Sequence, residues 1–328
     1  MGKIYEFFSG TNKQNNTGVS KEEIELSKKM GFGYFFKLLK RSMGKLTTLN
    51  LVFSLCNFPI VFFLIGRLGG LNETVNTPTN PLFAQLYGIM QYKQSPSTSA
   101  LYGILGNSTD LQIVSDASRV FMCLGLLLVI TVGLSSIGFF YVLRGLARSE
   151  YVSVWRDFFD AIKKNFKQGI IIGVIDSLII YVLLYDFASY YMNSGDFLIN
   201  VFYFAIILFI LIYFVMRFYI YTILVTFDLP IKKIFKNALI LSILGFKRNA
   251  VALIGSAALI LISIYLSILL PHLGIVLPFV ITISVIGFLG AYCIYPTIKK
   301  YMIDPYYKEH PEELPEESDE EPIFKDRG

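Results

Sequence analysis

The sequence predicts an all-α fold, a polytopic membrane helix bundle. Six transmembrane helices are expected as three repeats of an interfacial elbow helix plus a helical hairpin, with both termini cytoplasmic. Three observations predict it. Of the 328 residues 54% are hydrophobic and 16% charged, where a soluble domain carries about 25% charged residues, and the apolar residues gather in runs long enough to cross a bilayer. Of the 29 Lys and Arg residues, 25 fall on one side of the alternating runs, three (Arg67, Lys93, Arg119) on the other, and Arg217 inside a run. Cations collect on the cytoplasmic side of a membrane protein. Finally, three basic segments each show an apolar face at i, i+3, i+4 and i+7: Phe32, Phe35, Phe36 and Leu39; Trp155, Phe158, Phe159 and Ile162; Ile231, Ile234, Phe235 and Ala238. That spacing puts four side chains on one side of a helix.

Residues 1–45 are read as a cytoplasmic N-terminus ending in the first elbow. They contain no short apolar stretch of the kind that makes a cleavable signal peptide. The first hairpin, 46–143, has spans at about 46–65 and 120–143. Pro59 lies within the first of these and is expected to kink it. The polar connection 67–118 is too long for a bare loop and should hold a small ordered cap or short helices. It includes two glycosylation-type sequons, at Asn72 and Asn107.

The second elbow and hairpin occupy 144–227, with spans at about 169–191 and 197–227. The third occupy 228–298, with spans at about 250–270 and 275–298. Residues 299–328 form a cytoplasmic tail that turns acidic at Glu309. Within it HPEELPEESDEE is too charged and proline-rich to fold alone. Ile323 and Phe324 follow it and would suit docking into a partner, while a solvated tail that opposes aggregation is the other reading.

Candidate site residues are few. Asp176 and Arg217 lie inside spans, where ionisable groups are costly and face protein or water. Asp176 is nine residues past Lys167, and Arg217 eleven before Asp228. Both are therefore about 13–17 Å deep at about 1.5 Å per residue, on adjacent antiparallel helices. A charge pair is expected, serving either a solute or proton site or the simple fixing of the hairpin. In the elbows Trp155, Phe158, Phe159, Lys163, Lys164, Lys232, Lys233, Phe235 and Lys236 are candidates for contact with anionic lipid headgroups or a partner. Gly169 and Gly173, and Gly287 with Ala291, permit close helix approach.

Cys56, Cys123 and Cys293 all fall in expected spans and read as buried free thiols. His272 and His310 are isolated, so no metal site is expected. The chain has no H-E-x-x-H, no G-x-S-x-G and no phosphate-binding glycine loop. No enzyme activity, cofactor or nucleic-acid partner is expected.

Several stretches resemble one family. They are Leu49-Asn50-Leu51 through Cys56-Asn57-Phe58-Pro59-Ile60-Val61, RGLARSEYVSVWRDFF (144–159), NFKQ (165–168), VTFDLPIKKIFKNALILSILGFKRN (225–249) and DEEPIFKDR (319–327). They are similar to the YesL-like bacterial membrane proteins, the domain of unknown function 624. The 67–118 loop is longer than compact members would carry. The resemblance implies a bacterial plasma-membrane protein from a Gram-positive cell whose gene neighbours serve carbohydrate uptake. It implies no activity and no catalytic residue.

Two functions therefore compete. One is a non-enzymatic accessory component of a membrane complex, with an ABC transporter for carbohydrate as the implied partner. The other is an autonomous small-solute transporter with its site between repeats near Asp176 and Arg217. An ABC permease subunit fits poorly, because the 228–249 elbow has no Glu for the expected coupling loop.

Overall fold

The computed structural model of the chain describes residues 31–68, 70–78, 95–105, 108–193 and 195–309. The described residues are helical apart from one small sheet and the connections. Five helical stretches are long and apolar enough to cross a membrane: 116–147, 166–192, 197–224, 246–269 and 278–306. A sixth candidate is broken, being made of α1 (Phe32–Cys56) and α2 (Pro59–Arg67). The break falls where Pro59 withdraws its N–H, and the chain crosses it by Ile60 N–H to Asn57 O and Val61 N–H to Phe58 O. The expected first elbow is not a separate element. Nothing between Phe32 and Cys56 interrupts helical hydrogen bonding, so elbow and span form one 25-residue helix.

The chain divides into two compact units, residues 56–132 and the remainder. In the smaller unit α2 pairs with α4 (Asp116–Gly125). Gly125 lies against the backbone of Phe63, and the rings of Phe62 and Phe121 meet at 5.9 Å. The outer connection, expected as a cap or short helices, contains β1 (Glu73–Pro78), α3 (Pro96–Leu105) and β2 (Ser108–Ile113). The two strands are antiparallel, with Glu73 opposite Ile113. Ser115 caps α4 by accepting from Ser118 N–H at 3.1 Å, and the Ser118 hydroxyl donates to Asn72 Oδ1 at 2.8 Å. Asn72, the first sequon position, thus has a local structural partner. Asn107 lies outside the described residues.

The larger unit holds α1, most of α5 (Leu128–Ala147), α6 (Val154–Lys164), α7 (Phe166–Met192), α8 (Phe197–Leu224), α9 (Ile231–Leu244), α10 (Phe246–Leu269), α11 (Pro271–Leu277), α12 (Ile283–Ile298) and α13 (Asp304–Glu309). Short π-helical segments at Pro278–Thr282 and Lys299–Ile303 flank α12. The core lies where the basic ends of the spans converge. It buries α5 from Ile137 to Ala147, α8 from Phe218 to Leu224 and α12 from Gly287 to Ile294. Phe35 of α1 stacks on Phe288 at 5.6 Å, and Phe140 of α5 on Tyr221 of α8 at 5.5 Å.

Small residues set the helix spacing. A Cβ on Gly133 would stand 2.5 Å from the Cα of Gly173, so α5 and α7 touch backbone to backbone. One on Gly287 would meet the Phe139 ring at 2.6 Å. Toward their other ends α7 and α8 bury little within the chain and are joined by aromatic contacts such as Phe187–Tyr203 at 5.4 Å. This apolar exterior is the surface a bilayer solvates.

Candidate functional site

Among the described residues the buried carboxylate is that of Asp176, 1% exposed on α7. Opposite it, Tyr213, Arg217 and Tyr221 repeat every fourth residue along α8, a spacing that stacks side chains on one helix face. All three close on the carboxylate. The Tyr213 hydroxyl donates to Oδ1 at 2.7 Å and the Tyr221 hydroxyl to Oδ2 at 2.7 Å. Arg217 Nε lies 2.9 Å from Oδ1 and 3.1 Å from Oδ2, while Nη2 donates to Oδ2 at 2.9 Å. A carboxylate offers two oxygens and about four lone-pair directions, so these donors fill its capacity. Asp176 and Arg217 are thus brought together as the sequence predicts. The two tyrosines were not anticipated. Their signal was present, at four residues on either side of Arg217.

The elbows carry the remaining candidates. In α6 the buried face is Val154, Phe158 and Ala161, one residue out of phase with the expected face. Phe158 is fully buried, its ring filling the space left by Gly138, so it is core and not a contact surface. Trp155 and Phe159 stack on each other at 6.3 Å and remain exposed, as do Lys163 and Lys164. In α1 the corresponding shift buries Tyr34, Phe35 and Leu38 and leaves Phe32 and Phe36 outside.

In α9 the expected face is in phase. Ile234 and Ala238 are buried, Phe235 is half-buried, and Lys232, Lys233 and Lys236 are exposed. The α9–α10 corner is locked by Asn249, which accepts from Tyr219 OH at 2.9 Å and donates to Ser242 O at 2.7 Å. The docking candidates Ile323 and Phe324 lie outside the described residues.

Other buried polar groups read the backbone. Asn50, wholly buried on α1, donates to Pro278 O at 2.8 Å and accepts from Ser284 N–H at 2.7 Å, bracketing the π-helical turn. Arg144 Nη1 donates to Val225 O and Thr226 Oγ1, both at 3.0 Å, and so holds the end of α8. Among the described residues no three His, Cys, Asp or Glu side chains gather where a metal ion could sit.

Among the described residues the long apolar helices define a multi-pass helical membrane protein. Residues 46–187, somewhat less than half of the chain, match the family model described as "Protein of unknown function, DUF624", and are similar to that family. It is the family that the sequence motifs resemble. The motifs at 225–249 and 319–327 lie beyond the matched residues. No curated protein and no solved structure matches the chain.

Proposed function

We propose that the protein is a non-enzymatic accessory component of a membrane complex in a bacterial plasma membrane. In this reading both termini and all three elbows are cytoplasmic, the three elbow–hairpin segments are repeats of one YesL-like unit, and the partner is a transporter of the carbohydrate ABC class. The observation that carries it is the closure of the Asp176 cluster. A solute or proton site needs donors or acceptors that can change partners, and the Asp176 carboxylate has given its capacity to Tyr213, Arg217 and Tyr221. The exposed flanks of α7 and α8 supply lateral surface for lipid and for a membrane partner.

The test is gentle purification of the tagged full chain from its host membranes, with copurifying proteins identified by mass spectrometry. A stoichiometric transporter subunit that is lost on deletion of residues 309–328 supports the reading and gives the tail a role. A partner-free protein that drives solute flux in liposomes, with flux abolished by Asp176→Asn, would overturn it.

A further inference from the structure

We propose that a cleft under the second elbow is a binding site for a phosphate-bearing anion, held by Lys164 and Lys167. The cleft has a volume of about 840 Å³, within the ~300–1,000 Å³ range of small-molecule sites. Its walls are Tyr141 of α5, the outer turns of α6, the α6–α7 junction through Gln168, and residues 224–228 that end α8. The lower ends of three spans therefore meet at this cleft. It lies among the basic residues at the ends of these spans.

The charges within it do not cancel. Asp160 is shared between Arg156 at 3.7 Å and Lys163 at 3.9 Å. Asp157 accepts the Ser153 N–H at 2.9 Å. Among the described residues Lys164 and Lys167 have no ion-pair partner, although both line the cleft. Behind Tyr141 stands the Arg144 guanidinium, 4.9 Å from the ring centroid and hydrogen-bonded to the neutral acceptors Val225 O and Thr226 Oγ1. Along the cleft wall four cations, Arg156, Lys163, Lys164 and Lys167, face three carboxylates, Asp157, Asp160 and Asp228, which leaves a net positive charge.

The backbone adds donors. Asn165 turns its side chain back to Ala161 O at 3.1 Å and does not cap α7. The N–H groups of the first turn of α7, at residues 166–168, are thereby left for another acceptor. Two ammonium groups and a turn of backbone donors fit a phosphate ester. A lipid headgroup and a soluble phosphate share this chemistry. The site does not depend on any protein partner, so it stands or falls apart from the accessory reading.

The experiment places the full chain in nanodiscs of phosphatidylcholine containing phosphatidylglycerol and counts the retained phosphatidylglycerol by native mass spectrometry. The variant Lys164→Gln/Lys167→Gln is compared with Lys232→Gln/Lys233→Gln, which removes the same charge from α9. Each cation in the site is expected to contribute about fivefold, so the first variant loses about 25-fold in retention while the second stays within about twofold. Lys164→Arg/Lys167→Arg keeps the charge and should retain the lipid, which separates a lost site from a lost fold. Inorganic phosphate is then titrated. Displacement of phosphatidylglycerol together with phosphate binding in pure phosphatidylcholine discs assigns a soluble phosphate, and retention throughout assigns the lipid. Equal losses in the two Gln variants, or no loss in either, would overturn the site.

Discussion

Replacing Asp176 by Asn tests the central clamp. The substitution keeps the shape of the side chain and removes its charge. Arg217 is then left with two donors directed at a neutral oxygen, and the hydroxyls of Tyr213 and Tyr221 compete for the same atom. Breaking one side of a buried ion pair costs about 3–5 kcal/mol. The Arg217 side chain is 30% exposed and can recruit water, which puts the expected loss near the lower end, about 3 kcal/mol. Arg217→Gln should cost about the same, because it strands a carboxylate that is almost wholly buried. The double variant leaves a neutral amide pair among two tyrosines, so its cost should fall short of the sum by about 1–3 kcal/mol. The assay is reversible unfolding by sodium dodecyl sulfate in mixed micelles, followed by far-UV circular dichroism for all four proteins. Single costs that add to within about 0.5 kcal/mol would refute the clamp. So would an Asp176→Asn protein as stable as the parent.

The other predictions follow from the same geometry. Tyr221→Phe should cost more than Tyr213→Phe, each about 1 kcal/mol between the values for hydrogen bonds to charge and for bonds inside membranes, as read by the same unfolding titration. Gly133→Leu should destabilise by at least about 1–3 kcal/mol because its Cβ would meet the Gly173 Cα, while Gly33→Ala, with nothing near its Cβ, should not lower the unfolding midpoint. Phe158→Ala should cost about 3–5 kcal/mol as a core truncation, whereas Phe159→Ala, exposed on the neighbouring face, should leave stability within about 0.5 kcal/mol, both read by the same unfolding titration. Asn50→Leu leaves Pro278 O and the Ser284 N–H without partners, at about 1–3 kcal/mol for each group, and faster amide hydrogen exchange confined to residues 278–284 would register it.

How much of this was legible depended on the range of the interaction. Apolar runs are local and long, so the helices lie close to their expected places, as with α7 at 166–192 against an expectation of 169–191. Pro59 acts locally too, and the chain breaks there. The elbows were harder. Trp155 and Phe159 fit a helical face by hydrophobicity alone, but in a membrane protein lipid solvates apolar side chains as well as the core does. Hydrophobicity therefore marks both sides of such a helix and cannot choose the packed one. Phe158 is buried because Gly138, on another helix, leaves space for its ring, and nothing within α6 encodes that. The pair β1 and β2 joins strands with 29 residues between them, and its short polar segments carry no strong alternation.

The polar residues invert the usual order of legibility. In a soluble domain a buried Asp is an exception to be explained, whereas in a membrane chain its rarity makes it the most visible residue, and Asp176 with Arg217 is found from two letters in the sequence. That visibility favours a functional reading, and the geometry weighs against it: visibility comes from the cost of burying charge, and Tyr213 and Tyr221 complete the set of donors that offsets that cost. Lys164 and Lys167 are inconspicuous, two cations in a chain with 29. Their interest arises only once the fold places them in a cleft where, among the described residues, neither has an ion-pair partner. A sealed charge at depth does structural work, and an unpaired charge in a concave wall is free to do chemistry with something outside the chain. By that criterion the interaction site belongs at the basic ends of the spans, under α6, and not at mid-membrane, where the sequence draws the eye.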